Sequence, residues 1–529
     1  LALQPSLAEA WHGRGNVLCD LCRYDEALAA YDKATALQRD FAKAWHGRGD
    51  ALNHLDRHAE AAKSYTRALA IEPRFEFAKG LRLHEKMLCC DWDGLERLVA
   101  EIESDIEAGK FSAEPFGWLA LSHSEKSLQK CAELYAQKRF PAQPVIAQLP
   151  RSRGGDKIRV GYLSGEFRAQ ATSFLLVGVL ERHDREKFEV YAIDNGDDDG
   201  SETRRRVVDA VHRVVPTKHL TDAEAAARIR ENEIDILVNL NGYFGEARMD
   251  VFAHRPAPIQ VNFLGFPGTL GALYIDYIVA DRTVIPASNA AFFTEKVVTL
   301  PHCYQPNDRS RPIAADVPSR VSQGLPEQGF VFCCFNNNFK INPRGFGVWM
   351  RILAQTEGSV LWLLEDSAAA AANLRREAET RGIAAERLVF APRRLLADHL
   401  ARHRCADLFL DTTPYGAHTT ASDALWAGLP VLTALGATFA SRVAASLLTT
   451  IGLPELIAAD LDTYADLAVA LAADRARLKE IRDKLAANRL TTPLFDSALY
   501  ARHIEAAYGR MAERLRAGLP PDHFEVPNA

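Results

Sequence analysis

The residues best suited to chemistry are concentrated in one segment, Asp407–Thr433. It reads as a strand, a loop, a helix that begins near Thr419, and a second strand. A helix that starts beyond a strand's carboxyl end presents free backbone N–H groups and a positive dipole end, which favour an anion. Thr419 and Thr420 add hydroxyl donors, and Asp423 can accept hydrogen bonds from a ribose diol. The segment predicts a phosphate site, although a simple cap by Thr419 with Asp423 as its capping-box partner fits equally well.

Side chains after two other predicted strands favour a nucleotide diphosphate. Lys340 follows the strand predicted at Phe330–Phe335, and a fixed cation beside a helix N-terminus suits a departing diphosphate where no metal is available. His399 and Arg402 have i, i+3 spacing on a predicted helix, so we expect them to share a face. There an imidazole can stack on a base while the guanidinium bonds the edge of the base or a phosphate.

Three patterns resemble metal sites, but each has a better explanation. Asp197–Asp199 lies between two glycines, where acidic turn residues are expected. His399 and His403 have i, i+4 spacing, yet no Glu follows His399 as in the zincin motif and no third ligand is evident. Cys19 and Cys22 lie within a helix without a second pair, which favours core packing. We therefore predict no metal and no cofactor.

Two α/β units position these residues. Short β-rich runs alternate with helical segments, stop in the polar stretch 305–328, and then restart. This alternation is typical of buried parallel sheets with right-handed crossovers, and two such units predict Rossmann-like domains facing a cleft. The predicted strands are Ile158–Leu163, Phe188–Ile193, Asp235–Leu240, Ile259–Phe263, Asp276–Ala280, Phe330–Phe335, Ser359–Leu364, Arg387–Ala391, Asp407–Asp411 and Leu429–Thr433.

A helical repeat precedes the α/β units. Residues 10–18 (AWHGRGNVL) recur 34 positions later as residues 44–52 (AWHGRGDAL). That period, with small residues where paired helices cross, is the tetratricopeptide pattern. Asn16 and Asp50 occupy equivalent positions on the expected groove, where they either bind the backbone of an extended peptide or remain solvated; both interpretations fit.

The predicted fold class is thus α plus α/β: a short repeat array followed by two doubly wound domains. We place the repeats at residues 1–77, further degenerate helices and a linker at 78–150, the two Rossmann-like domains at 151–325 and 326–517, and a loose tail at 518–529. The linker itself spans Phe140–Asp156. The helix around Tyr500–Arg514 is expected to cross back to the first α/β domain.

Composition limits the class of protein. The chain has 529 residues, 48% hydrophobic and 25% charged, which is ordinary for globular proteins. A net charge of −6 argues against a wholly basic surface for nucleic acid, and nine cysteines are too few for a disulfide scaffold. No apolar run approaches the roughly 20 residues of a membrane span. With no leader pattern visible, we expect a soluble cytoplasmic protein that binds neither nucleic acid nor membranes.

Several motifs, found in order along nearly the whole chain, resemble the protein O-GlcNAc transferase family. Besides the repeats they are Ile158–Glu166, Arg255–Gln260, Gly265–Thr269, Phe335–Pro343, His418–Gly428 and Ser441–Ser446. The resemblance implies a repeat superhelix packed on a GT-B glycosyltransferase. It also implies inverting, metal-independent transfer of N-acetylglucosamine from UDP-GlcNAc to Ser or Thr hydroxyls of intracellular proteins, bound as extended segments along the repeat groove.

The resemblance also implies roles for the phosphate-site residues. Lys340 would stabilise the diphosphate leaving group, His418, Thr419 and Thr420 would contact that diphosphate, and Asp423 would bind the ribose. These roles agree with the anion site inferred from the residues themselves.

Further donor contacts follow from the same resemblance. His399 with Arg402 would hold the uridine, and the turn that contains Pro267 and Gly268 would lie near the sugar. Asn337 stands where the family usually has Gln, and can keep a weaker polar contact.

One position departs from the family. Gln170 stands where the family pattern has a His that is discussed as a base or as a group orienting the acceptor. Gln hydrogen-bonds but cannot take a proton near neutral pH. We therefore expect donor binding with weak or altered transfer. Two alternatives stay open: transfer from GDP-fucose or UDP-glucose, and a nucleotide-binding scaffold with impaired catalysis.

Overall fold

The computed structural model describes residues 6–143 and 157–528. It consists of a helical N-terminal region followed by two parallel-sheet domains, which confirms the predicted fold class. Most of the linker predicted over Phe140–Asp156 lies outside the described residues.

The helical region stacks helices in antiparallel pairs. Tyr31 packs against the helices of residues 8–20 and 42–54 at glycines: a Cβ on Gly15 or Gly47 would lie 2.5 or 2.6 Å from its ring. Gly49 makes the same approach to Tyr65 one repeat later, so the small residues are needed for close helix packing. The helices are α1 (Ala8–Asp20), α2 (Tyr24–Leu37), α3 (Ala42–His54), α4 (His58–Ile71), α5 (Ala78–Leu88), α6 (Leu95–Glu107), α7 (Pro115–Leu119) and α8 (Glu125–Arg139).

The first α/β domain contains an all-parallel sheet in the order β14-β7-β6-β5-β4-β1-β2-β3, in which β14 (Phe524–Glu525) comes from the end of the chain. The order reverses between β1 and β4, so the loops after these strands open a crevice. The strands are β1 (Ile158–Ser164), β2 (Phe188–Asp194), β3 (Arg213–Pro216), β4 (Ile236–Asn239), β5 (Ile259–Asn262), β6 (Tyr277–Asp281) and β7 (Lys296–Leu300); the helices are α9 (Ala171–Leu180), α10 (Glu202–Ala210), α11 (Asp222–Glu231) and α12 (Met249–Ala253).

The second domain has the parallel order β10-β9-β8-β11-β12-β13, with its reversal between β8 and β11. The strands are β8 (Val331–Cys334), β9 (Val360–Leu364), β10 (Leu388–Ala391), β11 (Leu408–Leu410), β12 (Val431–Ala434) and β13 (Ile457–Ala458). The helices are α13 (Pro343–Gln355), α14 (Ala368–Glu379), α15 (Leu396–Arg402), α16 (Thr419–Trp426), α17 (Phe439–Thr450), α18 (Leu461–Ala473) and α19 (Arg475–Asn488).

The chain then returns to the first domain. Helix α20 (Ser497–Arg516) packs there, as expected, and the Tyr508 hydroxyl donates to the Tyr162 hydroxyl at 3.1 Å. The loose tail expected over 518–529 is wrong, because β14 (Phe524–Glu525) pairs with β7 and Phe524 is buried. An edge strand of two residues carries no periodic pattern that sequence reasoning can detect.

Candidate active site

A cavity of about 240 Å³ lies where the two crevices and the helical region meet. The second domain contributes the loops after β8 and β11, the first domain contributes the loops after β4 and β5 and the start of α9, and Phe116 of α7 closes one side. Five predicted donor residues line it: Asn337, Lys340, His418, Thr419 and Thr420. Sequence reasoning did not single out the other polar and aromatic wall residues, Phe116, Thr172, Phe244, Gln305, Asn336, Phe339 and Tyr415.

Lys340 is held within the wall of this cavity. Its Nζ donates to the Gly416 carbonyl at 2.9 Å and lies 3.9 Å from the centroid of the Tyr415 ring. Burial lowers the pKa of Lys340 to about 8, although the nearby Asp411 carboxylate opposes the shift. The ammonium is thus a fixed cation that is still protonated near neutral pH.

Asp411 organises the loop that holds Lys340. Its carboxylate accepts hydrogen bonds from the backbone N–H groups of Thr412 and Ala417 at 2.7 and 2.5 Å, and from the Thr433 hydroxyl at 2.7 Å. Burial raises the pKa of Asp411 to about 6, against these hydrogen bonds. The sequence marks this residue only as the end of a strand; its role depends on the return of the loop.

The α16 N-terminus faces the cavity. Thr419 is the first helical residue, and the preceding His418 side chain does not cap the helix, so the cap interpretation of Thr419 is not what forms. The Thr420 hydroxyl donates to the Asn336 side-chain oxygen, and His418 Nε2 lies 3.0 Å from the Ala440 carbonyl. Burial lowers the pKa of His418, so the ring is neutral. The end of α16 can therefore receive an anion.

Asn337 contributes at the same edge. It is partly buried, and its side-chain oxygen accepts from the Phe339 N–H at 3.3 Å, which begins the short 3-10 turn Asn338–Lys340. The turn fixes the direction in which the Lys340 side chain leaves the backbone.

Asp423 lies behind the cavity wall. Its Oδ1 is paired with the Arg311 guanidinium, which also donates to the Ser422 hydroxyl at 3.3 Å. Burial raises the pKa of Asp423, while Arg311 opposes that shift. A contact with a ribose stays a prediction, and Arg311 is a partner that the sequence did not suggest, because the two residues are 112 positions apart.

His399 and Arg402 both contact the Phe335 ring, with His399 at 5.2 Å between centroids and the Arg402 guanidinium 4.7 Å away. Arg402 is fully buried, and its Nη1 donates to the Pro392 carbonyl at 2.6 Å. Burial lowers the pKa of His399 to about 2, so its ring is neutral. Neither residue lines the 240 Å³ cavity, and their contact with a uridine stays a prediction.

Only the first residues of the turn expected near the sugar line the cavity. Leu264 and Gly265 line it, whereas Pro267 and Gly268 are buried. The Asn262 side chain holds the Gly268 carbonyl at 3.0 Å. Pro267 and Gly268 therefore shape the turn from behind.

Gln170 lies at the rim. It is exposed and immediately precedes α9, whose first two residues, Ala171 and Thr172, are in the cavity wall. Its loop is anchored by Asp199, which accepts from the Ala169 N–H at 2.8 Å. The acidic run is therefore structural, and the described part of the chain holds no group of three residues able to bind a metal ion.

Asn16 and Asp50 make equivalent contacts within their own repeats. The Tyr31 hydroxyl donates to Asn16 at 2.8 Å, and the Tyr65 hydroxyl donates to Asp50 at 2.7 Å. Asp50 also lies 3.0 Å from His46 Nδ1. These bonds orient the side chains of the exposed Asn16 and the partly exposed Asp50, and peptide contact stays a prediction.

Comparisons with known proteins agree with this arrangement. The family model described as glycosyl transferase family 41 matches residues 119–315 and 307–504, and tetratricopeptide models match residues 8–41 and 42–75. A solved structure of a Thermobaculum terrenum O-GlcNAc transferase mutant aligns with a TM-score of 0.79 at 27% identity, covering 97% of this chain and 98% of that chain.

Two curated relatives are longer. The probable UDP-N-acetylglucosamine–peptide N-acetylglucosaminyltransferase SEC of Arabidopsis thaliana is 36% identical over 466 residues, 84% of this chain and 48% of that protein. The UDP-N-acetylglucosamine–peptide N-acetylglucosaminyltransferase of Caenorhabditis elegans is 27% identical over 563 residues, 83% and 49% respectively. The chain thus spans about half the length of these relatives. Among the described residues, no helix is long and apolar enough to cross a membrane.

Proposed function

The chain belongs to glycosyl transferase family 41, and on that basis we propose that it transfers N-acetylglucosamine from UDP-GlcNAc to Ser or Thr hydroxyls of proteins. The observation that carries the proposal is the partly buried Lys340 ammonium beside the uncapped α16 N-terminus, in a cavity between two Rossmann-like domains. Such a pair of positive groups suits a diphosphate.

In the proposed reaction the acceptor oxygen attacks the anomeric carbon from the face opposite the diphosphate, which inverts the configuration. Lys340 and the N–H groups of Thr419 and Thr420 stabilise the charge that develops on the departing UDP. Because the Gly416 carbonyl holds Lys340 and Asp411 fixes the same loop before the reaction, little reorganisation is needed when that charge appears. We include metal independence in the proposal, since these groups can supply the positive charge.

The acceptor segment reaches the cavity from the helical side. Phe116, which belongs to the helical region, lies in the cavity wall and packs 4.9 Å from Phe244 of the first domain. The orientation of Asn16 and Asp50 by Tyr31 and Tyr65 supports an extended protein segment along the repeats as the partner.

The test is a transfer assay with a donor panel. The protein is incubated with UDP-GlcNAc, UDP-glucose or GDP-fucose and Ser/Thr peptides, with and without EDTA, and the products are identified by mass and anomeric configuration. We expect EDTA-insensitive transfer from UDP-GlcNAc that Lys340→Ala slows about 10²–10³-fold. Lys479→Ala, which removes an exposed lysine paired with Asp483, is the matched control.

Other results would revise the proposal in specific ways. Preference for GDP-fucose or UDP-glucose would show that this sugar nucleotide, and not UDP-GlcNAc, is the donor. UDP binding without transfer to any peptide would favour a nucleotide-binding scaffold, which is the hypothesis that Gln170 suggests.

A further inference from the structure

A buried carboxylate lies directly behind the cavity wall on the side of the first domain. Thr172 lines the cavity, and its hydroxyl donates to Glu166 Oε2 at 2.8 Å. Thr172 and Glu166 are only 6% and 7% exposed. The Thr172 hydroxyl keeps lone pairs that can accept a second hydrogen bond from a group inside the cavity.

Glu166 is fixed on several sides. Its N–H donates to the Ser164 hydroxyl at 3.0 Å, and its carbonyl accepts from the Ser173 hydroxyl at 2.6 Å. Gly245 has a φ of +58° and passes so close that a Cβ there would lie 2.5 Å from Glu166 Oε1. The positive φ and this close approach both require glycine, and the carboxylate is consequently held against Thr172.

The charged neighbours of Glu166 leave it available as a base. Arg168 and Glu246 face it from its own loop and from the loop after β4, and they pair with each other at 2.6 Å. Burial raises the pKa of Glu166, and Glu246 adds to that effect while Thr172 and Arg168 oppose it. A carboxylate with a raised pKa is a stronger proton acceptor.

We propose that Glu166 accepts the proton of the acceptor hydroxyl and does so through the Thr172 hydroxyl. This inference rests on the proposed transferase function. As the acceptor oxygen bonds to the anomeric carbon, the bond from that carbon to the diphosphate oxygen breaks and its electron pair leaves with UDP. The acceptor proton passes to Thr172 Oγ1, and the proton that Thr172 donates moves to Glu166 Oε2. The carboxylate becomes a neutral acid, Thr172 is unchanged, and Glu166 later returns the proton to solvent.

The relay explains how a chain with Gln170 can deprotonate an acceptor. Gln170 is exposed at the rim and has no proton-accepting group of suitable pKa. Glu166, four residues earlier in the chain, has a carboxylate that can accept a proton, and the Thr172 hydroxyl lies between this carboxylate and the cavity.

The test compares Glu166→Gln, Thr172→Val and Thr172→Ser in the full chain. Glu166→Gln keeps an oxygen for the Thr172 hydrogen bond but cannot take the proton, so we expect kcat to fall about 10²–10⁴-fold with unchanged UDP affinity. Thr172→Val should lose activity similarly, and Thr172→Ser should retain it. Wild-type rate should fall as pH decreases through the pKa of Glu166, because the carboxylate form is required, and this acidic limb should be absent from the residual rate of Glu166→Gln.

The outcomes separate this inference from the proposed function. If the wild type transfers sugar and Glu166→Gln keeps its kcat or the acidic limb, the inference is overturned while the function stands. Full activity in Thr172→Val would overturn the relay through that hydroxyl. If the wild type transfers to no acceptor, the proposed function and the relay fail together. Retained UDP binding in each variant shows that the fold is intact.

Discussion

The cation of Lys340 offers the sharpest test of the donor site. It is partly buried, bonded to the Gly416 carbonyl at 2.9 Å, and lies over the Tyr415 ring. Removing one preorganised group from a developing negative charge typically lowers turnover about 10²–10³-fold, which corresponds to about 2.7–4 kcal/mol. We therefore expect Lys340→Ala to reduce transfer by that factor and to weaken UDP binding.

The lowered pKa of Lys340 makes the affinity for UDP depend on pH, and the direction of this dependence can be predicted. Burial lowers the pKa from 10.5 to about 8, so in the free protein the charged fraction is complete well below pH 8 and is lost as pH rises through it. UDP requires the charged form and should take up a proton on binding above that pH. Affinity should then fall by up to about tenfold, or about 1.4 kcal/mol, for each further pH unit. Lys340→Arg stays charged and should remove this dependence.

The assay is calorimetric titration with UDP from about pH 6.5 to about pH 9.5, in pairs of buffers that differ in ionisation enthalpy, so that protons are counted directly. Lys479→Ala serves as the control for loss of an exposed lysine that does not line the cavity. A wild-type affinity that is constant over this range, with no proton uptake, would refute this reasoning, because it would show that Lys340 keeps an ordinary pKa or is not engaged by the diphosphate. Wild-type affinity in Lys340→Ala would remove the diphosphate site altogether.

Three further predictions concern the rim, the buried ion pair and the repeats. Gln170→His places an imidazole with an ordinary pKa of about 6.5 beside α9, so initial transfer rates should rise with UDP affinity unchanged; identical rates would contradict a limiting role for this position. Arg311→Met leaves Asp423 buried without its cation and should lower the free energy of unfolding, measured in urea, by about 3–5 kcal/mol. Adding Asp423→Asn to Arg311→Met should recover part of this loss. If Arg311→Met alone lowers the free energy of unfolding by less than about 1 kcal/mol, the buried ion pair does not form as described. Gly49→Ala places a Cβ 2.5 Å from the tyrosine ring packed there and should cost about 1–3 kcal/mol. Gly13→Ala, with nothing within 4 Å, should be neutral or stabilising when both variants are unfolded in urea, and equal effects would refute the packing argument.

Much of the architecture follows from the sequence because local patterns encode it. The 34-residue period marks helix pairs, and apolar runs alternating with helices mark parallel strands, so all ten predicted strands are present. The prediction missed β3 and β7, although β7 (Lys296–Leu300) is five residues long and rich in β-branched residues, and it missed β13 and β14, which have only two residues each. Sheet pairing, and not local preference, creates such two-residue strands.

The residues of the candidate site also divide into those that the sequence predicts and those that it does not. Lys340, Thr419 and Thr420 can be found from sequence because residues at the carboxyl ends of parallel strands must meet at one edge. Their presence on a common cavity wall agrees with that rule.

Tertiary structure alone decides which groups are partners. Asp423 faces Arg311 from 112 positions away, Lys340 bonds to a carbonyl 76 positions away, and Arg402 is buried beneath Phe335. No local pattern specifies such contacts, because they depend on how crossovers and loops from separate domains come together. Burial then changes the chemistry of these groups: an ordinary lysine becomes one with a pKa of about 8, and it does so only because the packed protein replaces water around it.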